Sequence, residues 1–566
     1  MLKACFYSFL LFFSSLLIAN DAIEQAVVAL SPSVLTKDEM TAELTWFQNA
    51  SAPFKGKSIS VVSEDIPTHR WERDILATHF EDITGIKVNF DIIGEGSVVE
   101  NIFKQISQGV HLYDIYSNDA DHIGTHTRVH GVVNLTEYMK TEGQKFTNPK
   151  LDLDDFLNLK FGQDYDGQQL QLPDQQFANL YWFRHDWFTR SDIKTLFLHF
   201  TEKKYGKGNG YALGVPENWA AYEDIAEFFT NTPIDGKKVY GHTDFGKKSP
   251  SLGWRFTDSW LSIAGAGDVG LPNGEPVDEW GIRVENRIPR GSSVERGGAT
   301  NSPAAIYALQ TYIDWLNKYS PPTARQGTFR DNNIAAAKGN VAQQIFLYTL
   351  WVNELAFHQG DMVDKNGDPV WRLAPTPHGR YWESGMKVGY QDAGSWTIPK
   401  DTRGAKRAAA WLWAQFCVSK SAALAKFKAG ATPVRHSTLN SDYVQTHKKR
   451  WGGLIEFYQS NAIHQWTDTG LNVPHYPLLF RAWWPNLDKA IDGKITAKQA
   501  MDNIARSQDD IMGGLKLAQY SPMLNPKKSQ AFWLAQPGAP KPKRERETPK
   551  TMSYQDAIKL WRKAAP

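Results

Sequence analysis

The sequence predicts an α/β protein of two lobes, each a mostly parallel sheet flanked by helices. Two observations support this. Short apolar strands alternate with amphipathic helices in the first part of the chain, as they do in parallel sheets. A longer apolar segment, residues 172–188, runs from a polar, proline-containing loop into a helix start, which is typical of a strand that leaves one lobe and enters another. With 566 residues, the chain is long enough to form two hydrophobic cores.

Composition narrows the class of protein. Apolar residues make up 42% of the chain and charged residues 22%, which is typical of globular proteins. The formal net charge of +2 gives no electrostatic drive toward nucleic acid, so we expect no nucleic-acid partner. The 21 tryptophans either form core or line a pocket for sugars or polyols, whose C–H faces stack on aromatic rings.

The N-terminus has the pattern of an export signal. Lys3 precedes an apolar run over residues 6–18, and small or polar residues follow over 19–22. We therefore expect a signal peptide at residues 1–22, with an uncleaved anchor as the alternative. The run is shorter than the about 20 residues that cross a bilayer. Cleavage would leave Cys417 as the one cysteine, which allows no internal disulfide and no cysteine-based metal site.

The first strands and helices follow one another in a regular order. After a helical leader at residues 23–56, we expect strands at 57–62, 85–93 and 112–116, with a helix at 71–80 between the first two. Ligands bind beyond the carboxyl ends of the strands in parallel sheets. The polar residues that follow each of these strands are therefore candidates for a binding site.

Helices dominate after the crossing strand. The pattern predicts helices and strands, in chain order, at 218–230 (helix), 254–264 (helix), 302–316 (helix), 341–348 (strand), 394–399 (strand) and 405–418 (helix). Residues 267–300 are rich in glycine, proline and charge, and this composition predicts a long surface loop. Residues 537–550 predict an extended, basic, proline-rich linker, and a short terminal helix is expected at 553–564.

This order predicts two discontinuous lobes with a ligand cleft between them. Lobe 1 would take residues 57–176 and 374–432, and lobe 2 would take 177–373 and 433–520. Residues 521–566 would form a C-terminal extension that contains the basic linker and the short helix.

Three motifs resemble segments of the substrate-binding proteins of ABC importers, of the extracellular type that takes sugars and polyols. They are LYWFRHDWF at residues 180–188, KGNVAQQ at 338–344 and GSWTIPK at 394–400. Their order and spacing extend over most of the chain. The resemblance implies a periplasmic-binding-protein fold, a location in the periplasm and a membrane permease as partner. It also implies a monomer that has no cofactor and no enzyme activity.

A narrower resemblance is to the long binding proteins of glycerol-type ABC importers. It is carried by residues 66–69, 82–88, 172–184, 388–392 and 536–541. This resemblance implies glycerol or a related small polyol as the ligand, which composition alone does not predict.

The resemblance also implies ligand contacts from both lobes. By position in the chain, these are Thr68, His69, Asn118, Asp121, Gln176, Trp254, Arg255, Tyr348, Trp351, Asp392, Gly394, Ser395, Phe480 and Trp484. Carboxylates and amides suit a neutral polyol because hydroxyl groups both donate and accept hydrogen bonds. Gly394 would let the backbone approach the ligand closely. Trp483 and Trp484 cannot both face the ligand, because adjacent residues of a helix point about 100° apart.

Several of these residues have structural alternatives. The alternative role for His69 is to stabilise a loop, and the alternative role for Asp121 is to cap a helix. Arg255 would equally pair with an acid, and Trp254 would equally belong to the core. His122 and His126 have the spacing of zinc ligands, but the glutamate that follows the first histidine of a metalloprotease is missing, so we expect no metal site.

Three other ligands or activities stay open. Glycerol 3-phosphate would require several cationic groups or helix N-termini, and a sugar would require a longer, more aromatic groove. An exported glycoside hydrolase would require two carboxyl groups at a fixed separation, and the sequence shows no recognisable pair. Facing carboxyl groups of which one has a strongly raised pKa would favour the hydrolase.

Overall fold

The structure is a computed structural model that describes most of the chain. The described residues are 21–267, 276–328, 331, 339–348, 362–386, 389–464, 467–468, 470–537 and 547–563. These predicted features therefore lie outside them in whole or in part: the signal peptide except for its last two residues, residues 268–275 of the surface loop, Trp351, the central part of the basic linker, and the last residue of the terminal helix.

The strands are short except for two that carry the chain between its two compact units. In chain order they are β1 Ser58–Glu64, β2 Lys87–Ile93, β3 Ile115–Asp119, β4 Leu172–Arg184, β5 Val215–Pro216, β6 Arg283–Glu285, β7 Ile288–Gly291, β8 Gln343–Tyr348, β9 Trp371–Ala374, β10 Tyr390–Thr397, β11 Thr467–Asp468 and β12 Thr551–Met552.

Helices make up most of the remaining regular structure. They are residues 21–29, Lys37–Ser51, Pro67–Trp71, Ala77–Thr84, Glu95–Gln108, Ile123–Val129, Leu135–Lys140, His185–Thr189, Ser191–Tyr205, Trp219–Asn231, Ser251–Arg255, Leu261–Ala264, Pro303–Tyr319, Gly404–Cys417, Lys420–Lys428, His436–Leu439, Asp442–His447, Leu454–Tyr458, Tyr476–Leu479, Trp484–Ile491, Ala497–Gly514, Gln530–Leu534 and Tyr554–Lys563. The π turns Glu72–Leu76 and Phe256–Trp260 each join two of these helices. Among the described residues, no helix is both long and apolar enough to cross a bilayer.

The chain divides into two units. Unit 1 comprises Met1–His126, His130–Gln176 and Ala393–Thr446, and unit 2 comprises Thr127–Val129, Phe177–Asp392 and His447–Pro566. After a short excursion into unit 2 at Thr127–Val129, the chain passes from unit 1 to unit 2 inside β4, after Gln176. It returns to unit 1 inside β10, after Asp392, and passes to unit 2 again after Thr446.

The sheet of unit 1 is built on β1, which lies between two parallel neighbours. β1 pairs with β2 along its whole length and with β3 through Val61 and Val62. The carboxyl-terminal half of β10 then pairs antiparallel with β3, with Gly394 opposite Asp119 and Ser395 opposite Asn118. The apolar helix Gly404–Cys417 is buried against this sheet, and its residues from Ala408 onward belong to the core of the unit.

The sheet of unit 2 is mixed rather than mostly parallel. The second half of β4 pairs antiparallel with both β8 and β9, while β10 pairs in parallel with β11. The difference follows from the connections, because β8 and β9 run back alongside the strand through which the chain enters the unit. Mixed sheets flanked by helices nonetheless agree with the predicted α/β class.

Aromatic rings fill much of the core of unit 2. Trp219, Trp260 and Trp315 contact one another, with ring centroids 5.2–5.6 Å apart. Tyr222 stacks on Trp315 at 4.7 Å, and Tyr312 meets the edge of Trp260 at 5.0 Å. Tryptophan is a large apolar side chain that stabilises a core strongly when buried. These three tryptophans therefore belong to the core and do not line a pocket.

The prediction of a surface loop is wrong for residues 276–300. β6 and β7 form a hairpin there, and the side chains of Trp280 and Ile282 are buried. The Asp278 carboxylate fixes the preceding turn by accepting hydrogen bonds from the backbone N–H groups of these same two residues, at 3.0 and 2.7 Å. The glycine and proline content reflects tight turns within a packed segment and not exposure to solvent.

The predicted terminal helix is present and packs on unit 2. β12 pairs antiparallel with β5, and the helix Tyr554–Lys563 follows directly. Ala557 and Trp561 are buried, and the Trp561 ring meets the edge of Phe457 with centroids 5.5 Å apart. The C-terminal segment is therefore an integral part of this unit.

Candidate functional site

Unit 1 brings most of its predicted ligand contacts to the carboxyl ends of β1 and β3. Thr68 and His69 lie in the helix Pro67–Trp71 that follows β1, and Asp121 lies in the turn that follows β3. Asn118 lies in β3 itself, opposite Ser395 of β10. Because β1 and β3 are parallel, their carboxyl ends lie at the same edge of the sheet, which is where ligands bind in α/β proteins.

The predicted polar side chains of unit 1 are buried, and some already have protein partners. The Asn118 side-chain oxygen accepts a hydrogen bond from the Asp119 N–H at 2.6 Å, and the Ser395 hydroxyl donates to the Ala393 carbonyl at 3.1 Å. The Gln176 N–H donates to the Thr432 hydroxyl at 2.8 Å, so Gln176 is fixed within the unit. These contacts hold the predicted residues in place before any ligand binds.

His69 is held by protein partners on both ring nitrogens. Its Nδ1 lies 2.9 Å from the Glu64 carbonyl oxygen, so Nδ1 carries the proton and donates. Its Nε2 is then an acceptor, with the Ser117 hydroxyl at 3.2 Å and the Gln175 side-chain nitrogen at 3.4 Å. Burial lowers the pKa of His69 to about 4, so the ring is neutral. These contacts favour the loop-stabilising alternative for this residue.

Glu64 is a candidate site residue that the predicted contacts did not include. It is the last residue of β1, and burial together with the charge of Asp121 raises the pKa of its carboxyl group to about 7. A carboxyl group that titrates near neutrality can donate as well as accept a hydrogen bond. Because Glu64 lies at the carboxyl end of the first strand, the sequence could have identified it as a candidate.

Ser63 and Gln175 each carry a buried polar atom in unit 1. Among the described residues, neither the Ser63 hydroxyl oxygen nor the Gln175 side-chain oxygen has a hydrogen-bond partner. Buried polar groups are nearly always hydrogen-bonded in native proteins, so each unpaired atom requires an explanation. A ligand hydroxyl at this edge of the sheet would supply the missing partner.

Unit 2 places two predicted aromatic contacts against each other. The rings of Trp254 and Phe480 stack with centroids 4.7 Å apart and planes 18° apart. Tyr476 stacks on the same Phe480 ring at 5.3 Å, and Trp280 packs on Tyr476 at 5.4 Å. Three of these rings stack, and the tilted Trp280 ring extends the group into one aromatic cluster. Trp254 Nε1 is buried and has no hydrogen-bond partner within the described part of the chain.

The structure separates the two adjacent tryptophans as the helical geometry predicted. Trp483 is fully buried and meets the edge of Trp280 with centroids 5.9 Å apart. Trp484 begins the helix Trp484–Ile491 and is only partly buried. Trp483 is therefore core, and Trp484 keeps an accessible face.

Arg255 is engaged by an acid in the core of unit 2. Its guanidinium donates to both carboxylate oxygens of Asp244 at 2.8 Å, and also to the Ile345 carbonyl at 2.6 Å. Both side chains are buried. This bidentate pair supports the alternative in which Arg255 pairs with an acid. The Asp244 carboxylate balances the charge of the guanidinium, so little net charge is left to attract a ligand.

The remaining predicted contacts of unit 2 lie on strands. Tyr348 is the last residue of β8, where it pairs with Asn179 of β4. Asp392 is buried in β10, and its carboxylate accepts a hydrogen bond from the Tyr390 hydroxyl. On β8, Gln344 is a candidate that the sequence reasoning missed. It is fully buried, and neither end of its amide has a partner among the residues the structure describes.

Comparison with known proteins identifies the fold. A solute-binding protein of an ABC transporter from Agrobacterium radiobacter K84, in complex with ribitol, superimposes with a TM-score of 0.58 at 18% identity, over 81% of this chain and 99% of the other. One from Agrobacterium vitis S4 with bound D-mannitol has a TM-score of 0.58 at 15% identity, over 82% and 100%. Maltose-bound T. maritima MalE3 has a TM-score of 0.56 at 16% identity, over 80% and 99%.

The fold is that of these solute-binding proteins. The predicted fold class is thereby confirmed. No protein-family model matches the sequence. A search of curated proteins by sequence also returned no match.

Proposed function

We propose that this protein is the periplasmic binding component of an ABC importer. It captures a small neutral polyol or sugar and delivers this ligand to a membrane permease. Within this class, glycerol is the ligand that the motifs imply. The observation that carries the proposal is the edge of the unit 1 sheet in a solute-binding fold, where buried polar residues lie in or directly after the strands and where, among the described residues, some of their polar atoms are unpaired.

The chemistry of this edge suits hydroxyl groups. The candidates include amides, hydroxyls and carboxyls, which donate to and accept from a polyol. Glu64, with its pKa of about 7, can do both at neutral pH. Ribitol and D-mannitol are polyols bound by proteins of the same fold, whereas maltose is a sugar, so both classes belong in the test.

The charged candidates disfavour a phosphorylated ligand. Arg255 is paired with Asp244, and burial lowers the pKa of His69 to about 4, which leaves the ring neutral. Binding of glycerol 3-phosphate would require a cation that is not already committed to a buried acid. We therefore propose a neutral ligand over its phosphate ester.

One observation favours the hydrolase as a second candidate function. Glu64 and Asp121 are interacting carboxyl groups, and the pKa of Glu64 is raised to about 7. Glycoside hydrolases use a carboxylic acid with a raised pKa beside a second carboxylate. We favour binding because the proteins that share this fold are described as binders of ribitol, D-mannitol or maltose.

Calorimetry and product analysis on the same samples separate these functions. The purified protein would be titrated with glycerol, ribitol, mannitol, maltose and glycerol 3-phosphate, and each mixture would then be assayed for products. The proposal predicts saturable binding of a neutral polyol or sugar, no binding of the phosphate ester and no turnover. Hydrolysis of maltose that is lost in Glu64→Gln would instead establish the enzyme.

A further inference from the structure

Three ionisable side chains meet in the interior of unit 1, directly behind the candidate ligand residues. Lys426 Nζ lies 2.6 Å from a carboxylate oxygen of Glu72 and also donates to Asp174. Lys426 is 4% exposed, and the two acids are fully buried. Burying unpaired charges costs several kcal/mol per ion. The charges of this buried triad must therefore balance one another.

The triad is electrically balanced if one acid keeps its proton. Glu72 and Asp174 are in hydrogen-bond contact, and burial together with the Asp174 charge raises the pKa of Glu72 well above its ordinary value. Glu72 is then neutral, and the Lys426 ammonium balances the Asp174 carboxylate. Within the described residues, Glu72 Oε2 and Asp174 Oδ2 have no hydrogen-bond partner, and a proton on Glu72 would give this pair of acids a donor.

The ammonium occupies the place that a metal ion would require. His69, Glu72 and Asp174 bring one ligand atom each to within 4.8 Å of one another. Lys426 Nζ is bonded to both of these acids, so a divalent cation would have to displace it. The Trp396 indole N–H completes the surroundings by donating to Asp174 at 2.8 Å. We therefore treat the group as an ion triad and not as a metal centre.

The triad joins the segments that carry the candidate contacts. Glu72 follows the helix of Thr68 and His69 without a break, and Asp174 directly precedes Gln175 and Gln176 in β4. Gln175 in turn contacts His69, at 3.4 Å between their side-chain nitrogens. A change at Lys426 would therefore be transmitted to both the helix and the strand.

We propose, on the basis of the proposed function, that Lys426 is a positioning residue for the ligand. It is buried behind His69 and acts through that residue and through β4. By bonding Glu72 and Asp174 together, it fixes the helix Pro67–Trp71 against β4, and this arrangement sets the distance between His69 and the adjacent glutamines. Ligand affinity then depends on a cation that the ligand never touches.

The test compares two variants with a matched control. Lys426→Met removes the charge and keeps the length of the side chain, and Lys426→Met with Asp174→Asn also restores neutrality. Lys428→Met makes the same substitution at an exposed position of the same helix. Three quantities are measured for each protein: the Tm without ligand, the amide exchange of the peptide 172–184, and the affinity for whichever polyol or sugar the wild type binds.

For Lys426→Met we expect a Tm loss on the order of 10 °C, because one partner of a buried ion pair is gone. The double variant should recover most of this loss, since the buried acid is no longer charged. Its affinity should nevertheless stay about tenfold below that of the wild type, and exchange in β4 should stay faster, because the bridge is missing. Lys428→Met should match the wild type in all three quantities.

Two results would overturn the proposal. One is a double variant that binds ligand and exchanges its β4 amides as the wild type does, which would make the role of Lys426 purely one of charge balance. The other is a Lys426→Met protein with unchanged Tm and exchange. If the wild type binds no polyol or sugar, only the proposed function is refuted. The Tm and the amide exchange would still report whether the triad fixes β4.

Discussion

The indole ring of Trp254 stacks face to face on the phenyl ring of Phe480, with centroids 4.7 Å apart. The residue before Trp254 makes this approach possible. A Cβ atom at Gly253 would lie 2.6 Å from Phe480 Cε2, closer than two carbon atoms can come. Glycine at this position therefore allows Phe480 to reach the indole and complete the aromatic stack.

Gly253→Ala should displace the Phe480 ring and destabilise the protein by about 1–3 kcal/mol, because an added methyl group overpacks the site. Chemical denaturation followed by tryptophan fluorescence would measure the loss. Gly514→Ala is the control, since a Cβ at that helical position meets no atom within 4 Å. We expect the control to be neutral or slightly stabilising. Equal effects at both positions would show that Phe480 does not depend on Gly253.

Glu64 should make the stability of the protein depend on pH. Its pKa is raised in the folded state to about 7, so folding favours the protonated form. The resulting stabilisation is fully present below the unfolded pKa near 4.5 and is lost as the pH rises through about 7. Over this range the loss from one group is roughly 3 kcal/mol.

Glu64→Gln should flatten the curve of unfolding free energy against pH between 4.5 and 7, the two pKa values of this group. Urea denaturation at closely spaced pH values would measure the slope. Glu137→Gln serves as control, because that side chain is 61% exposed and the same substitution there should leave the slope unchanged. A Glu64→Gln curve parallel to the wild type would show that the pKa of Glu64 is the same in the folded and unfolded states.

The Arg255–Asp244 pair should contribute to stability rather than to ligand recognition. Arg255→Met leaves the buried Asp244 carboxylate without its bidentate partner, so we expect a loss of about 3–5 kcal/mol in unfolding free energy. Arg255→Lys should rescue only part of it, because an ammonium cannot reproduce the planar two-bond geometry. Lys498→Met, at a side chain that is 68% exposed, should change stability by less than about 0.5 kcal/mol. Full stability in Arg255→Met would contradict the structural role.

The terminal helix offers two adjacent residues with opposite environments. Trp561 is 2% exposed and Leu560 is 45% exposed. Trp561→Ala should cost about 3–5 kcal/mol in unfolding free energy through the cavity it leaves, whereas Leu560→Ala should change stability by about 0.5 kcal/mol or less. Thermal unfolding of both variants would check this. Similar values for the two would mean that the helix is not docked in solution.

The sequence predicted those features that depend on local pattern. The long strand Leu172–Arg184 follows from an apolar segment preceded by a polar loop. The separation of Trp483 from Trp484 follows from helical geometry alone. The order of β1, β2 and β3 follows from alternating strands and helices.

Features that depend on distant partners were missed. Asp244 and Arg255 are separated by eleven residues, and Lys426 by 252 residues from Asp174, so no local pattern reveals either pair. The segment 276–300 was misjudged for a similar reason. Its glycine and proline content is local, whereas the burial of Trp280 depends on Tyr476 and Trp483, which are remote in sequence.

The predicted ligand contacts came from the resemblance to binding proteins of ABC importers more than from the chemistry of the residues themselves. The edge of the unit 1 sheet was predictable because polar residues follow its strands. Gln344 illustrates the limit: its motif was recognised, yet only the three-dimensional structure shows that both ends of its amide are buried and, within the described residues, unpaired.

The most direct test of the central claim is calorimetric titration of glycerol, ribitol and maltose into the wild type, Asp121→Asn and Asp154→Asn. Asp121 and Asp154 are each the middle residue of a short turn in unit 1. Asp121 lies beside Glu64, whereas Asp154 is exposed. We predict saturable binding by the wild type and Asp154→Asn, and affinity at least about tenfold weaker in Asp121→Asn, since a buried acceptor of ligand hydroxyls is changed. Undiminished binding by Asp121→Asn, or no binding of either polyol or of maltose by the wild type, would contradict the account.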